Sequence, residues 1–74
     1  MEGGCLMQIK LYALRKDNGI TQEEMANKLG ISRGRYSMKE RGNAEFTQDE
    51  MFEISKMFNR NIGDIFLPRT HKTN

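Results

Sequence analysis

A chain of 74 residues can hold at most one domain, and a core of that size is marginal, so helix packing or self-association must supply what disulfides supply in a secreted miniprotein. One cysteine, Cys5, excludes an intramolecular disulfide and, beside six methionines, fits a reducing cytosol; no stretch is apolar and long enough to span a membrane, and no basic start with an apolar run marks an export signal. The formal net charge of +2 is small but unevenly placed: residues 31–43 carry Arg33, Arg35, Lys39 and Arg41 against Glu40, a local +3, and residues 44–58 carry Glu45, Asp49, Glu50 and Glu53 against Lys56, a local −3. A basic segment of this kind is either a phosphate-binding face or a solvated helix, and charge alone does not separate the two.

Residues 7–16 read as a first helix, with Met7, Leu11 and Leu14 at helical spacing and Ile9 and Tyr12 widening the apolar face. Asp17-Asn18-Gly19 stops it, Gly19 suiting a left-handed C-terminal position. Thr21 is an N-cap, and Glu24 three residues on completes a capping box for a helix over Gln22–Leu29 that buries Met25, Ala26 and Leu29 and ends at Gly30. Ser32 caps a third helix over residues 33–41, which Gly42 terminates. Thr47 with Glu50 forms a second capping box, opening a fourth helix whose buried stripe is Met51, Ile54 and Phe58; no glycine or proline follows Phe58. Asn61 caps a short last helix over residues 62–66 with Asp64 at its third position, and Pro68 stops it.

These signals predict an all-α fold of five helices without a sheet: a domain over residues 7–67, a flexible polar tail over 68–74 and a disordered extension over 1–6. The extension has no helical pattern. Codons for Glu2-Gly3-Gly4 can spell a purine-rich ribosome-binding site just before Met7, so residues 1–6 are read as lying ahead of the natural start; the competing view is a genuine flexible arm.

Two short helices joined by a tight glycine-containing turn make a helix-turn-helix, here Gln22–Leu29, Gly30-Ile31-Ser32, then residues 33–41. Each residue type has a geometric reason. Ala26 is small where the two helices cross, Gly30 permits the turn, Ile31 plugs the angle between the helices, and Ser32 caps the third helix so that its N-terminus, with Arg33, Gly34 and Arg35, points outward toward a major groove.

With its flanks, TQEEMANKLGISRGRYSMKERG resembles the Cro/repressor-like helix-turn-helix family, also called the Xre family. The resemblance extends to LYALRKDNGI before it and to TQDEMFEISKMF and NIGDIF after it, covering roughly residues 7–67. It implies a five-helix fold of the lambda-repressor-like DNA-binding type and sequence-specific binding of double-stranded DNA by a prokaryotic or phage transcriptional regulator, a repressor by preference, with the third helix in the major groove. By position, the resemblance assigns Gln22 to a DNA phosphate, where it can also brace the first residue of the recognition helix. Arg33, Gly34 and Met38 fall where base edges are met, Arg33 as a bidentate donor to guanine, Met38 as an apolar contact for a thymine methyl, and Gly34 as a point of close backbone approach. Arg35, Arg41 and Asn43 fall at phosphate-backbone positions, Ser32 and Ser37 lie on the same surface, and Arg15 with Glu40 matches a salt bridge tying the first helix to the end of the third.

Two residues depart from the pattern. Lys39 stands where a large apolar residue is usual and Tyr36 where a branched aliphatic is common; Lys39 either snorkels along the core edge with its ammonium near phosphate, or the third helix is rotated or poorly packed. Gly34 costs that helix roughly 1 kcal/mol relative to alanine.

Set against these roles are plainer ones: Gln22 as a solvated first-turn residue, Arg33 and Arg35 as surface solubilisers, and Met25, Met51 and Met57 as core filler. Lone Cys5 and lone His71 lack metal-ligand spacing, and no Ser/His/Asp, Cys/His or phosphate-loop arrangement exists, so no enzyme, metal, cofactor or small-molecule ligand is expected. Reading a symmetric operator calls for a cytoplasmic homodimer, with Phe66, Leu67 and exposed parts of Phe52 or Met57 as contact residues, unless these side chains merely close the core. Two rival functions remain: the DNA-binding antitoxin of a toxin–antitoxin pair, and a protein-interaction module that kept the fold while losing DNA binding, to which Gly34, Met38 and Lys39 lend weight.

Overall fold

Five helices follow in chain order: α1 (Ile9–Asp17), α2 (Gln22–Leu29), α3 (Arg33–Glu40), α4 (Gln48–Phe58) and α5 (Ile62–Ile65). The computed structural model describes residues 7–68, and no strand occurs among them; the expectations for residues 1–6 and for the tail beyond Pro68, Cys5 and His71 included, lie outside the described residues. Three helix starts match their sequence signals atom for atom. Thr21 and Thr47 accept from the backbone N–H of Glu24 and Glu50, whose carboxylates accept in return from the threonine N–H, and Ser32 accepts from the N–H of Arg35 at 3.2 Å.

The ends depart from expectation in instructive ways. α1 begins at Ile9, because Met7 is exposed and Gln8 turns inward with only 3% of its surface accessible. The Gln8 backbone N–H donates to the Glu40 carbonyl at 2.8 Å, while its side chain donates to the Leu67 carbonyl at 3.0 Å and accepts the Leu67 N–H at 2.7 Å. One amide side chain therefore latches the two ends of the domain together and satisfies backbone groups that burial would otherwise orphan. Ile9 and Tyr12 stay on the surface, so the buried side of α1 is narrower than its apolar pattern, consisting of Leu11 and Arg15 with Leu14 partly covered. α3 ends at Glu40 and Arg41 is its C-cap. α4 stops at Asn59, which takes the left-handed conformation, φ +55°, that asparagine tolerates. Asn61 makes no side-chain cap; its carbonyl alone accepts from Asp64.

At the centre lie Leu11, Met25, Ala26, Tyr36, Ile54 and Ile65, each at most 1% exposed, closed by Phe46 and Phe66. From the expected stripe of α4, Ile54 is buried and Met51 and Phe58 are only partly so. Phe46 belongs to no helix. It sits in the segment joining α3 to α4 and meets the rings of Tyr36 and Phe66 edge-on, with centroids 5.9 and 5.2 Å away. Phe66 is thereby a core residue, whereas of the other side chains expected at a dimer contact Leu67 and Met57 are partly buried and Phe52 is exposed.

Two glycines test the backbone argument with opposite signs. Gly30 closes α2 at φ +70°, ψ +30°, so Gly30→Ala meets no neighbour yet is strained, an expected loss of about 1–2 kcal/mol. Gly34 lies inside α3 in ordinary helical geometry with open space where a Cβ would stand, and Gly34→Ala is expected to stabilise by about 1 kcal/mol. Urea denaturation of both variants checks the pair; equal signs would contradict the assigned conformations.

Candidate nucleic-acid interface

The turn between α2 and α3 is built on Gly30. Its N–H donates to Asn27, and the N–H of Ile31 donates to the Ala26 carbonyl at 3.0 Å, ending α2 cleanly and turning the chain toward Ser32. The small, buried Ala26 and the buried Tyr36 belong to the common core that joins the two helices. Tyr36 and Glu40 point inward, and helical spacing then puts Gly34, Ser37, Met38 and Arg41 on one outer face with Arg33 at its N-terminal edge. Arg33, Gly34, Arg35, Met38 and Arg41 are exposed, Met38 to 44%, and Ser37 is half-buried. Beyond the helix, Gly42 at φ +86° donates to Lys39 and Asn43 donates to the Met38 carbonyl at 2.8 Å, so exposed Asn43 is folded back beside Arg41. The structure thus brings Arg33, Gly34, Arg35, Ser37, Met38, Arg41 and Asn43 onto one continuous stretch of α3 and its following turn.

Behind this surface lies a buried polar network. The Glu40 carboxylate, 1% exposed, accepts from Arg15 Nε at 2.8 Å, Arg15 Nη2 at 3.1 Å, Tyr36 Oη at 2.6 Å and Gln22 Nε2 at 3.1 Å. Arg15 Nη1 donates to the Ile20 carbonyl at 2.8 Å, which ties the α1–α2 turn to the same cluster. Burial opposes ionisation of Glu40, but the bonds from Arg15, Tyr36 and Gln22 outweigh it and hold the carboxyl below the usual range. The Arg15 guanidinium is held more firmly protonated by the same carboxylate. Burial, then the bond to Glu40, pushes the Tyr36 phenol well above its ordinary value. Tyr36, read in the sequence as an odd replacement for an aliphatic, supplies both core volume and a donor to Glu40. Gln22 thereby donates to the last residue of α3 from the start of α2.

Lys39 is tied to α4 instead of running to solvent. Its Nζ donates to both oxygens of Glu50, at 2.6 and 2.8 Å, and the two side chains are 13% and 12% exposed. Glu50 therefore has two jobs, capping α4 through Thr47 and anchoring α3. Burial works against its charge, and Lys39 and the Thr47 N–H reverse the balance, keeping the carboxyl below its usual range. Sequence reasoning missed Gln8, Phe46 and this second role of Glu50; only the last had a local trace, a lysine in an otherwise apolar position.

Comparison with known proteins agrees with this geometry. The helix-turn-helix family model matches residues 11–65, from within α1 to the end of α5. An uncharacterized HTH-type transcriptional regulator of Methanocaldococcus jannaschii is 38% identical over 61 residues, covering 82% of this chain and 92% of that protein. An uncharacterized HTH-type transcriptional regulator of Archaeoglobus fulgidus is 31% identical over 61 residues, covering 82% of this chain and 87% of its own length. Two crystal structures of the clp gene regulator ClgR from Corynebacterium glutamicum are similar in fold at 26% identity and cover 78% of this chain; one has a TM-score of 0.67 over 75% of its length, the other 0.70 over 62%. From Leu11 to Ile65, in sequence and in helix arrangement, the chain belongs to the Xre-type helix-turn-helix family.

Proposed function

We propose that this chain is a DNA-binding transcriptional regulator that reads a specific double-stranded site with α3 in the major groove and acts there as a repressor, as a homodimer on a symmetric operator in the cytoplasm of a prokaryotic or phage-infected cell. The observation that carries this reading is the division of α3: Tyr36 and Glu40 fixed in the core and the polar network, Arg33, Gly34, Met38 and Arg41 left exposed on the outer side. A rigid inner face and an open outer one are what a recognition helix needs. The HTH-type transcriptional regulators of Methanocaldococcus jannaschii and Archaeoglobus fulgidus match this chain in sequence over 82% of its length. In this reading Arg33 donates to a guanine edge, Met38 touches a thymine methyl, and Gln22, Arg35, Arg41 and Asn43 hold phosphates, with Ser32 and Ser37 beside them. Lys39 is engaged by Glu50 and adds no phosphate contact of its own. Leu67 is the side chain offered to a second copy, and repression is the mode that requires only occupancy of the site.

Selection of bound sequences from random duplex DNA, followed by anisotropy titration of the selected site, tests the proposal; no enrichment and no binding would favour a protein-interaction module. Arg33→Ala is expected to weaken the selected site by about 1–3 kcal/mol and random DNA less, lowering the specificity ratio. Arg41→Ala is expected to weaken both by similar factors and to flatten the salt dependence, because phosphates carry no sequence. With Arg35 and Arg41 as the cationic phosphate contacts, log affinity should fall with log salt at a slope of about −1.8 per protomer. Equal losses on specific and random DNA for a folded Arg33→Ala would make Arg33 a phosphate clamp.

A further inference from the structure

We propose that Glu50 is a positioning residue for DNA binding: through its ion pair with Lys39 it fixes the segment between α3 and α4, and with it Arg41 and Asn43, in the placement that contacts phosphate. The inference rests on the DNA-binding role proposed above. Three observations carry it. First, Glu50 holds both ends of the segment. One carboxylate accepts from Lys39 Nζ in the last turn of α3 and, at 2.9 Å, from the backbone N–H of Thr47, the N-cap of α4. Second, both partners are largely withdrawn from water, and the ammonium meets both carboxylate oxygens, so this is not the solvated surface pair that contributes nearly nothing. Third, the segment is fixed at both of its ends beside this pair. Its start is closed by the bonds of Gly42 to Lys39 and Asn43 to Met38, and its end by the Phe46 ring against Tyr36 and Phe66. Arg41 and Asn43, exposed between those points, inherit their position from the frame that Lys39 and Glu50 complete.

The same geometry makes a clean test. Glu50→Gln removes the negative charge but keeps a side-chain oxygen for the Thr47 N–H, as a capping box with glutamine does. Affinity is measured by anisotropy on the selected duplex and on random duplex, for wild type, Glu50→Gln, Arg41→Ala and the double variant, with helicity checked by circular dichroism. The expected result is that Glu50→Gln weakens both DNAs about tenfold, the size of one charge-assisted contact, and flattens the salt slope by about 0.9 per protomer. In the Arg41→Ala background it should change affinity less than about twofold, because the cationic group it positions is gone and only the weaker, uncharged contact of Asn43 is left to lose. Replacing the ion pair by an uncharged pair, Lys39→Ile with Glu50→Gln, should restore most of the affinity by packing α3 on α4 without charge. If Glu50→Gln does not fold, Lys39→Ile alone, which leaves the Thr47 cap intact, enters the same cycle. Equal losses in both backgrounds overturn the positioning role, and so does a gain in affinity, which would mean that Lys39, once released, takes a phosphate itself. Wild-type protein that binds no DNA overturns the proposed function and this inference with it, so the two failures are told apart by the first titration.

Discussion

Arg15→Met is expected to destabilise the domain by about 3–5 kcal/mol, because it leaves a buried carboxylate without its countercharge. Arg15 is 6% exposed and gives three of its donors to protein atoms, two to Glu40 and one to Ile20. Methionine replaces the volume of the aliphatic stem but none of these bonds. Glu40 would keep only Tyr36 and Gln22 as donors in a site with 1% accessibility, too few to replace the water it gave up. A domain of this length holds roughly 4–11 kcal/mol in all, so the loss is a large share and the melting temperature should fall by about 15 °C or more.

The effect has a pH signature. The Glu40 carboxyl is held below its unfolded value in the native domain, so its contribution is present above the unfolded pKa, about 4.3, and is lost as pH falls through the folded one. Without Arg15 the carboxyl loses the partner that offsets its burial and takes up its proton more readily. The deficit of Arg15→Met should therefore be greatest at neutral pH and shrink in acid, as wild type loses the advantage and the variant's Glu40 becomes neutral. Thermal melts by circular dichroism at pH 7 and pH 4 read both parts. A drop of only a few degrees at neutral pH, unchanged in acid, would show that water reaches Glu40. Combining Arg15→Met with Tyr36→Phe and Glu40→Leu should recover much of the stability, since an apolar cluster has no charge to leave unpaired.

How much of this was legible in the sequence follows from the range of each interaction. Thr21 with Glu24, and Thr47 with Glu50, bond across three residues, so composition at fixed spacing foretold them and with them the starts of α2 and α4. Gly30 and Gly42 marked turns for the same local reason, both at positive φ. Arg15 and Glu40, 25 residues apart, were paired only through the family resemblance. The stop after Phe58 was equally local but carried by Asn59, whose tolerance of left-handed backbone is easy to overlook beside glycine. The misses are of another kind. Gln8 meets Leu67 across 59 residues, and a buried glutamine interrupting the apolar pattern of α1 looks like solvent-facing polarity until the chain ends are seen side by side. Periodicity counted Met7, Ile9 and Tyr12 as core although Met7 precedes the helix and α1 turns Ile9 and Tyr12 outward, because a 3.6-residue pattern gives a face but not its width. Lys39 looked like a free cation because its partner lies on the next helix.

Phe46 was passed over because it lies between helices, where no periodicity marks it, and its removal should show how much the core depends on it. The ring is 8% exposed and stands edge-on to both Tyr36 and Phe66, joining the recognition helix to the residue that follows α5. Phe46→Ala is expected to cost about 3–5 kcal/mol, from lost burial, an unfilled cavity and two aromatic contacts together. Phe52, six residues further on, is the control: it is 58% exposed on α4, with the Lys56 ammonium 5.4 Å from its ring centre. Phe52→Ala should stay within about 0.5 kcal/mol of wild type, the ordinary range for a surface substitution, so hydrophobicity alone does not rank the two. Chemical denaturation separates them, and the m-value adds a second reading: if the α3–α4 segment unfolds locally in Phe46→Ala while the helices persist, m falls with the midpoint, whereas simple destabilisation moves the midpoint alone. A loss under about 1 kcal/mol with unchanged m would mean that the helices close the core by themselves. The segment carrying Arg41 and Asn43 would then owe its placement to its two helix ends alone.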